Sequence, residues 1–221
     1  MFVSFLLLYG AIYMFHYCFQ KIKSISKIKQ YISHISLNWY GYGYSYEKIN
    51  IEEYPSRLIL ISSHTSMYDF IIGILYYYTM LHFRYDVYIF MKKQYQEICA
   101  PICSWIDPKI KFIAVDSNKN GLTKTVIQEL KEKDHYVIYI APEGTRNCTN
   151  NIRSGYWHIA TALQIDIVYI GVDFVHKQIT MEPYRSPSKT WKEEQELFIQ
   201  SCKKYIPLYP ERCYWTKQYY N

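Results

Sequence analysis

The sequence lacks internal repeats and low-complexity segments, and its six cysteines follow no spacing that is typical of a disulfide framework. These absences argue against a repeat protein, a disordered chain and a small disulfide-stapled scaffold. Cys99 and Cys103 would share a helix face, yet no Cys or His pair nearby completes a zinc site, and no other metal cluster is apparent. With 50% hydrophobic residues, the 221-residue chain can instead build a packed domain with reduced cysteines.

Acidic residues are the minority among the charged ones, with 19 Asp and Glu against 25 Lys and Arg, which gives a formal net charge of +6. A modest positive charge suits anionic membranes, phosphorylated substrates or nucleic acid, and it does not choose among them. The lysines cluster beside the apolar N-terminus, and no nucleic-acid recognition motif is present. We therefore expect no nucleic-acid partner.

Residues 2–19 contain no charged side chain apart from the titratable His16. At about 1.5 Å per residue, such a stretch is just long enough to cross a bilayer. A cleaved signal peptide usually needs a basic start and a small-residue cleavage site, and neither is visible. We expect residues 1–20 to form a transmembrane or membrane-inserted helix.

Residues 21–46 read as a basic amphipathic helix and a connector that is rich in glycine and tyrosine (Gly41 to Tyr46). The helix has lysines at positions 21, 23, 27 and 29. It also has isoleucines at steps of three or four, at positions 22, 25, 28, 32 and 35. This pattern predicts a helix in the headgroup layer of a membrane, with a surface helix packed on the domain as the alternative. Because lysines follow the apolar run and none precede it, the positive-inside rule puts the remainder of the chain on the cytoplasmic side.

The remaining residues, 47–221, alternate β-rich runs with helical runs. Predicted strands span 58–63, 86–91, 111–115, 135–141, 166–174 and 177–183. Predicted helices span 69–82, 94–104, 121–133, 154–164 and 190–205. Strands separated by helices indicate an α/β fold with a mixed, mostly parallel central sheet flanked by helices. The tight connection between the last two strands predicts an antiparallel hairpin.

A first pair of candidate catalytic residues, His64 and Asp69, follows the predicted strand 58–63. In a continuous helix their side chains would point about 140° apart, so they can meet only in a turn that enters a helix near Asp69. An aspartate that accepts from one imidazole nitrogen fixes the tautomer and leaves the other nitrogen as a base. The alternative is a helix-capping aspartate beside a surface histidine.

A second group of candidate residues follows the predicted strand 135–141. It consists of Glu143, Gly144, Thr145 and Arg146. A guanidinium at the carboxyl end of a strand can hold a phosphate bidentately, and the N-terminus of the helix that opens near Gly155 adds backbone donors. The alternative is a tight turn with an Arg–Glu surface pair.

Together the two groups resemble the motifs of the phospholipid/glycerol acyltransferase family, which includes the lysophosphatidic acid acyltransferases. His64 and Asp69 match the family's His-x₄-Asp motif, and residues 143–146 match its Glu-Gly-Thr-Arg motif. Further similar stretches lie at residues 63–70, 92–93, 101, 112–116 and 153–160. The resemblance covers roughly residues 57–205.

The resemblance implies the glycerolipid acyltransferase fold and a reaction between a lysophospholipid and an acyl thioester at a membrane. The acyl group would pass from acyl-CoA or acyl carrier protein to the free glycerol hydroxyl of lysophosphatidic acid or a related lysophospholipid, without a cofactor. His64 and Asp69 would be catalytic. The acceptor phosphate would be bound by the Glu-Gly-Thr-Arg loop, with Lys119 and Arg153 as further candidates.

The sequence departs from the family pattern at two positions. Ser117 stands where the second family motif usually has an arginine that helps to hold the phosphate, and Tyr169 stands where the fourth motif usually has a proline. Neither departure touches the proposed base, but both leave the acceptor headgroup open. A catalytically silent, membrane-associated lipid-binding protein is the alternative function.

Overall fold

The computed structural model of the chain describes residues 23–39, 41–44, 54–81, 85–116 and 121–216. The predicted anchor at residues 1–20 lies outside the described residues, as do Ser117 and Lys119. Within the described ranges, no helix combines the length and the apolar character that crossing a membrane requires.

The described strands form one sheet and alternate with helices. The strands are β1 (Gly43–Tyr44), β2 (Arg57–Ile61), β3 (Asp86–Lys92), β4 (Ile110–Val115), β5 (Tyr136–Ile140), β6 (Asp166–Asp173) and β7 (Gln178–Met181). The α-helices are α1 (Lys23–Trp39), α2 (Met67–Tyr76), α3 (Lys93–Ile106), α4 (Leu122–Leu130), α5 (Gly155–Leu163) and α6 (Trp191–Cys202). A π-helical turn, Tyr77–Leu81, continues α2, and a 3₁₀ turn, Pro210–Arg212, follows α6.

The strand order is β1-β7-β6-β2-β5-β3-β4. Strands β2 to β6 pair in parallel, and β7 runs antiparallel to β6 in the predicted hairpin. The prediction of a mixed, mostly parallel sheet is therefore confirmed. At the centre, Ile61 of β2 is in register with Ile140 of β5 and Tyr169 of β6. The loops that follow β2 and β5 consequently leave the sheet side by side.

Alternating side chains of the central strands bury opposite faces of the sheet, as the two-residue period of a strand requires. Leu58 and Leu60 of β2 lie in one buried cluster, which we call the first face; it includes residues of α1 and α2, and Cys103 of α3 packs against it. Ile59 and Ile61 lie in a second cluster with residues of α4, α5 and α6. Helices therefore cover both faces.

Two parts of the N-terminal region differ from the sequence-based expectation. The segment expected to be only a connector contains β1, whose Gly43 pairs with Gln178 of β7. In α1, Leu37 is fully buried in the first face, whereas Ile32 and Ile35 remain 56% and 46% exposed. The described part of the isoleucine stripe therefore points away from the domain.

Candidate active site

The loop between β2 and α2 brings the first candidate pair together through a helix cap. The hydroxyl of Ser66 accepts hydrogen bonds from the backbone N–H groups of Tyr68 and Asp69, while the Asp69 carboxylate accepts from the N–H of Ser66 at 2.7 Å. The same oxygen accepts from the N–H of Thr65, also at 2.7 Å. This capping box starts α2 and fixes the Asp69 carboxylate beside the loop that carries His64.

The imidazole of His64 lies against that fixed carboxylate. His64 Nδ1 is 3.3 Å from Asp69 Oδ2, and the two side chains are 23% and 6% exposed. Nδ1 is therefore the imidazole nitrogen that lies toward Asp69, and Nε2 is the nitrogen left to accept a proton. Asp69 therefore both caps the helix and contacts the histidine. The two roles for Asp69 that the sequence left as alternatives are combined in one side chain.

Glu143 of the second motif contacts the first motif directly. Its carboxylate is buried and accepts hydrogen bonds from the hydroxyl of Ser63 and from the backbone N–H of His64, both at 2.9 Å. Burial raises the pKa of Glu143 to about 7, against the lowering effect of these two bonds and with a smaller raising effect from the charge of Asp69. Glu143 thus holds the backbone that carries His64.

Gly144 is required by the geometry of the turn that follows β5. Its φ of +64° lies in the left-handed region, and its N–H donates to Ala141 O at 3.0 Å. A Cβ at this position would lie 3.0 Å from Nε of Arg153. The absence of a side chain therefore lets the exposed Arg153 lie over the turn. Thr145 accepts from the N–H of Asn147 within the same loop.

Arg146 reaches across to the start of α3. Its Nη2 donates to the hydroxyl of Tyr95 at 2.9 Å, and its guanidinium lies 5.4 Å from the centre of the Tyr95 ring. Nothing in the sequence signals this partner, because Tyr95 lies 51 residues before Arg146. Arg146 and Arg153 therefore leave from one loop, beside the loop of His64, whereas Lys119 lies outside the described residues.

Tyr169, which stands where the family usually has proline, belongs to the second buried cluster. Its hydroxyl donates to Cys202 Sγ at 3.6 Å, and its ring stacks on Tyr205 with an interplanar angle of 14°. Burial raises the pKa of this hydroxyl. The tyrosine therefore packs α6 and the following segment against the sheet.

An apolar cavity lies between α2 and the first face of the sheet. Asp69 is the one charged residue that lines it within the described part of the chain. Its lining also includes Leu60, Phe70, Gly73, Val137 and Ile170. The cavity thus begins beside the carboxylate that contacts His64. Among the described residues, no group of three or more His, Cys, Asp or Glu side chains is arranged to hold a metal ion.

A family model described as Acyltransferase matches residues 45–173. The fold is similar to the crystal structure of the 1-acyl-sn-glycerophosphate (LPA) acyltransferase PlsC from Thermotoga maritima, with a TM-score of 0.57. The match covers 89% of this chain and 87% of that chain, at 13% sequence identity, a level at which the likeness concerns the fold. No curated protein matches the sequence.

Proposed function

The chain belongs to the Acyltransferase family and is an acyltransferase, and from this premise we propose that it acylates a lysophospholipid. The donor is acyl-CoA or acyl carrier protein, and the acceptor is the free glycerol hydroxyl of lysophosphatidic acid or a related lysophospholipid. The observation that carries this proposal is the contact of His64 Nδ1 with the buried carboxylate of Asp69.

In the proposed reaction, His64 acts as the general base. Nε2 takes the proton of the acceptor hydroxyl as the hydroxyl oxygen attacks the thioester carbonyl carbon. The new ester C–O bond forms, the C–S bond breaks, and the imidazolium returns the proton to the leaving thiolate. Asp69 stabilises the imidazolium, and its two backbone hydrogen bonds keep it in place. No acyl-enzyme is needed.

Positioned general-base catalysis contributes about 10²–10⁴-fold, so binding of both substrates in line must supply much of the remaining rate enhancement. The apolar cavity beside Asp69 suits the acyl chain, because it extends from the proposed base into the first face. Arg146, with Arg153 and Lys119 as further candidates, suits the acceptor phosphate. In this assignment Glu143 and Gly144 shape the loop.

The proposal includes a membrane surface next to the active site. Large apolar side chains are exposed on α1, α2 and α3, and we call them the apolar outer face. They are Tyr31, Ile32, Ile35, Trp39, Met67, Tyr68, Ile71, Ile98, Ile102 and Trp105. Exposed apolar side chains that together form a contiguous patch mark an interaction site. Met67 and Tyr68 follow the His64 loop directly, so a bilayer against this face would lie beside the site.

Charge and sequence support the same orientation. Lys92 and Lys93 are exposed at the start of α3, where they can approach anionic headgroups. The uncharged stretch 2–19 leads into α1, which contributes four of the exposed residues. We propose that residues 1–20 anchor the chain and that the catalytic domain lies on the cytoplasmic side.

The test is acyl transfer by the purified full-length protein. We expect labelled acyl groups from acyl-CoA or acyl carrier protein to appear in a diacyl phospholipid when a panel of lysophospholipids is offered. The donor and acceptor with the highest kcat/KM identify the substrates. Binding of lysolipid without transfer from either donor would favour the catalytically silent lipid-binding alternative.

A further inference from the structure

Arg212 lies beyond both sequence motifs and outside the matched residues 45–173, yet it reaches the loop of the proposed base. Its Nη1 lies 3.4 Å from the carbonyl oxygen of Thr65, the residue after His64. We propose that Arg212 is a second phosphate-binding residue of this active site. The inference rests on the acyltransferase function proposed above.

The segment that presents Arg212 is fixed to the site on its inner side. Cys213 is buried, and its sulfur lies 3.7 Å from the hydroxyl of Ser63, which also donates to Glu143. The 3₁₀ turn that contains Arg212 is closed by backbone bonds, from the N–H of Arg212 to Tyr209 O at 3.0 Å and from the N–H of Cys213 to Pro210 O at 3.1 Å. The guanidinium is therefore held beside the catalytic loop.

The guanidinium itself is available for a ligand. The side chain is exposed, and within the described part of the chain no carboxylate forms an ion pair with it. It lies 4.2 Å from the centre of the Tyr209 ring, which restricts its orientation. One donor faces Thr65, and among the described residues no other hydrogen bond occupies the planar fork. A permanently charged fork of this kind recognises phosphate oxygens.

Arg146 and Arg212 belong to segments that lie beside the two different neighbours of β2. Arg146 follows β5, and β5 and β6 are the two neighbours of β2. The segment of Arg212 starts beside the carboxyl end of β6, where the N–H of Phe174 donates to Ile206 O at 2.8 Å. The reaction brings together two substrates that carry phosphate when the donor is acyl-CoA and the acceptor is lysophosphatidic acid. Two guanidiniums from segments beside different neighbours of β2 match two such groups.

The shared chemistry is a phosphate, which can belong to the donor or to the acceptor, and separate KM measurements distinguish the two. For Arg212→Gln we expect the KM of one substrate, donor or acceptor, to rise about tenfold or more, as for loss of a charge-assisted hydrogen bond. If it is the donor KM that rises, a phosphate-free donor, an acyl thioester of N-acetylcysteamine, should show no such rise. Arg212→Lys keeps the charge without the fork and should recover part of the effect.

Lys203→Gln is the matched control, since it removes an exposed positive charge at the end of α6 without touching the loop. Unchanged KM values for both substrates in Arg212→Gln would overturn the inference. So would a fall in kcat with both KM values unchanged, which would mean that Arg212 only supports the loop. Absence of transfer by the wild-type protein would instead contradict the proposed function.

Discussion

At the scale of single residues, Asp69 combines a structural contact with a proposed chemical one. It caps α2, and it contacts His64. Glu193 has the same capping position on α6, where the N-cap is Thr190, far from the site in sequence and exposed. The two capping boxes therefore allow the structural part of the Asp69 role to be separated from its proposed catalytic part.

We predict that Asp69→Asn lowers kcat by about 10²–10⁴-fold, because an amide does not stabilise the imidazolium of His64. Glu193→Gln, which replaces the other capping carboxylate by an amide, should leave kcat unchanged. Steady-state kinetics of acyl transfer, with thermal unfolding of both variants, measures the two effects. Near wild-type turnover in folded Asp69→Asn would leave Asp69 with the capping role alone.

Glu143 gives a prediction about pH. Its pKa is raised from 4.5 to about 7 in the folded protein, so between these values the folded state binds more protons than the unfolded chain. The contribution of Glu143 to the free energy of unfolding therefore falls as pH rises through this range. Glu143→Gln keeps a hydrogen-bonding group but removes the titration. Relative to the wild type, the variant should gain up to roughly 3 kcal/mol between the two pH values.

Urea unfolding at several pH values measures this difference, with Glu193→Gln as the control for a carboxylate that is exposed. The control should differ from the wild type by a nearly constant amount over the same range. A pH-independent difference for Glu143→Gln would show that the burial of Glu143 has no such consequence.

The sequence predicted the contact of His64 with Asp69 as one of two alternatives, because both residues lie close to the turn that leads from a buried strand into α2. It could not predict the partners of these loops. Glu143 lies 79 residues from His64, and Arg212 lies 147 residues from Thr65. Such contacts depend on which strands become neighbours in the sheet, and the pattern of hydrophobic runs and motifs does not show the strand order.

At the scale of secondary-structure elements, the hydrophobic runs predicted the longer strands and their helices to within a few residues. The start of α2 at Met67 was not predicted, because it is set by the hydrogen bonds of Ser66 and not by hydrophobic period. Strand β1 was missed because it has two residues and exists through its pairing with β7. The inward face of α1 was also missed, since Leu37 lies off the isoleucine stripe.

Helix α2 separates the cavity from the apolar outer face, which gives a prediction about acyl chains. Gly73 lines the cavity, and a Cβ added there has no atom within 4 Å. Gly73→Phe should therefore fill part of the cavity and lower kcat/KM for long acyl donors more than for short ones. Ile71→Phe adds a ring on the 46% exposed outer side of the same helix and should not change the ratio. An unchanged ratio in both variants would argue against the cavity as the acyl site.

At the scale of the whole molecule, the apolar outer face lies on one side of the sheet and the exposed Leu197 of α6 on the other. We predict that replacing Ile98, Ile102 and Trp105 by serine lowers kcat/KM on lysophospholipid in vesicles, since these side chains would no longer enter the lipid. Activity on a short-chain, water-soluble lysophospholipid should be retained. Leu197→Ser is the control.

Equal losses on both substrates would indicate damage to the fold. No loss on vesicles would exclude α3 from the membrane contact.

The most direct test of the account is the turnover of His64→Ala with acyl-CoA and lysophosphatidic acid, read as phosphatidic acid formed. We predict a loss of at least about 10²-fold with the fold retained. His135 is an exposed histidine directly before β5, at the opposite end of the strands from His64. His135→Ala should therefore keep wild-type turnover. Near wild-type formation of phosphatidic acid by folded His64→Ala would contradict the assignment of His64 as the base.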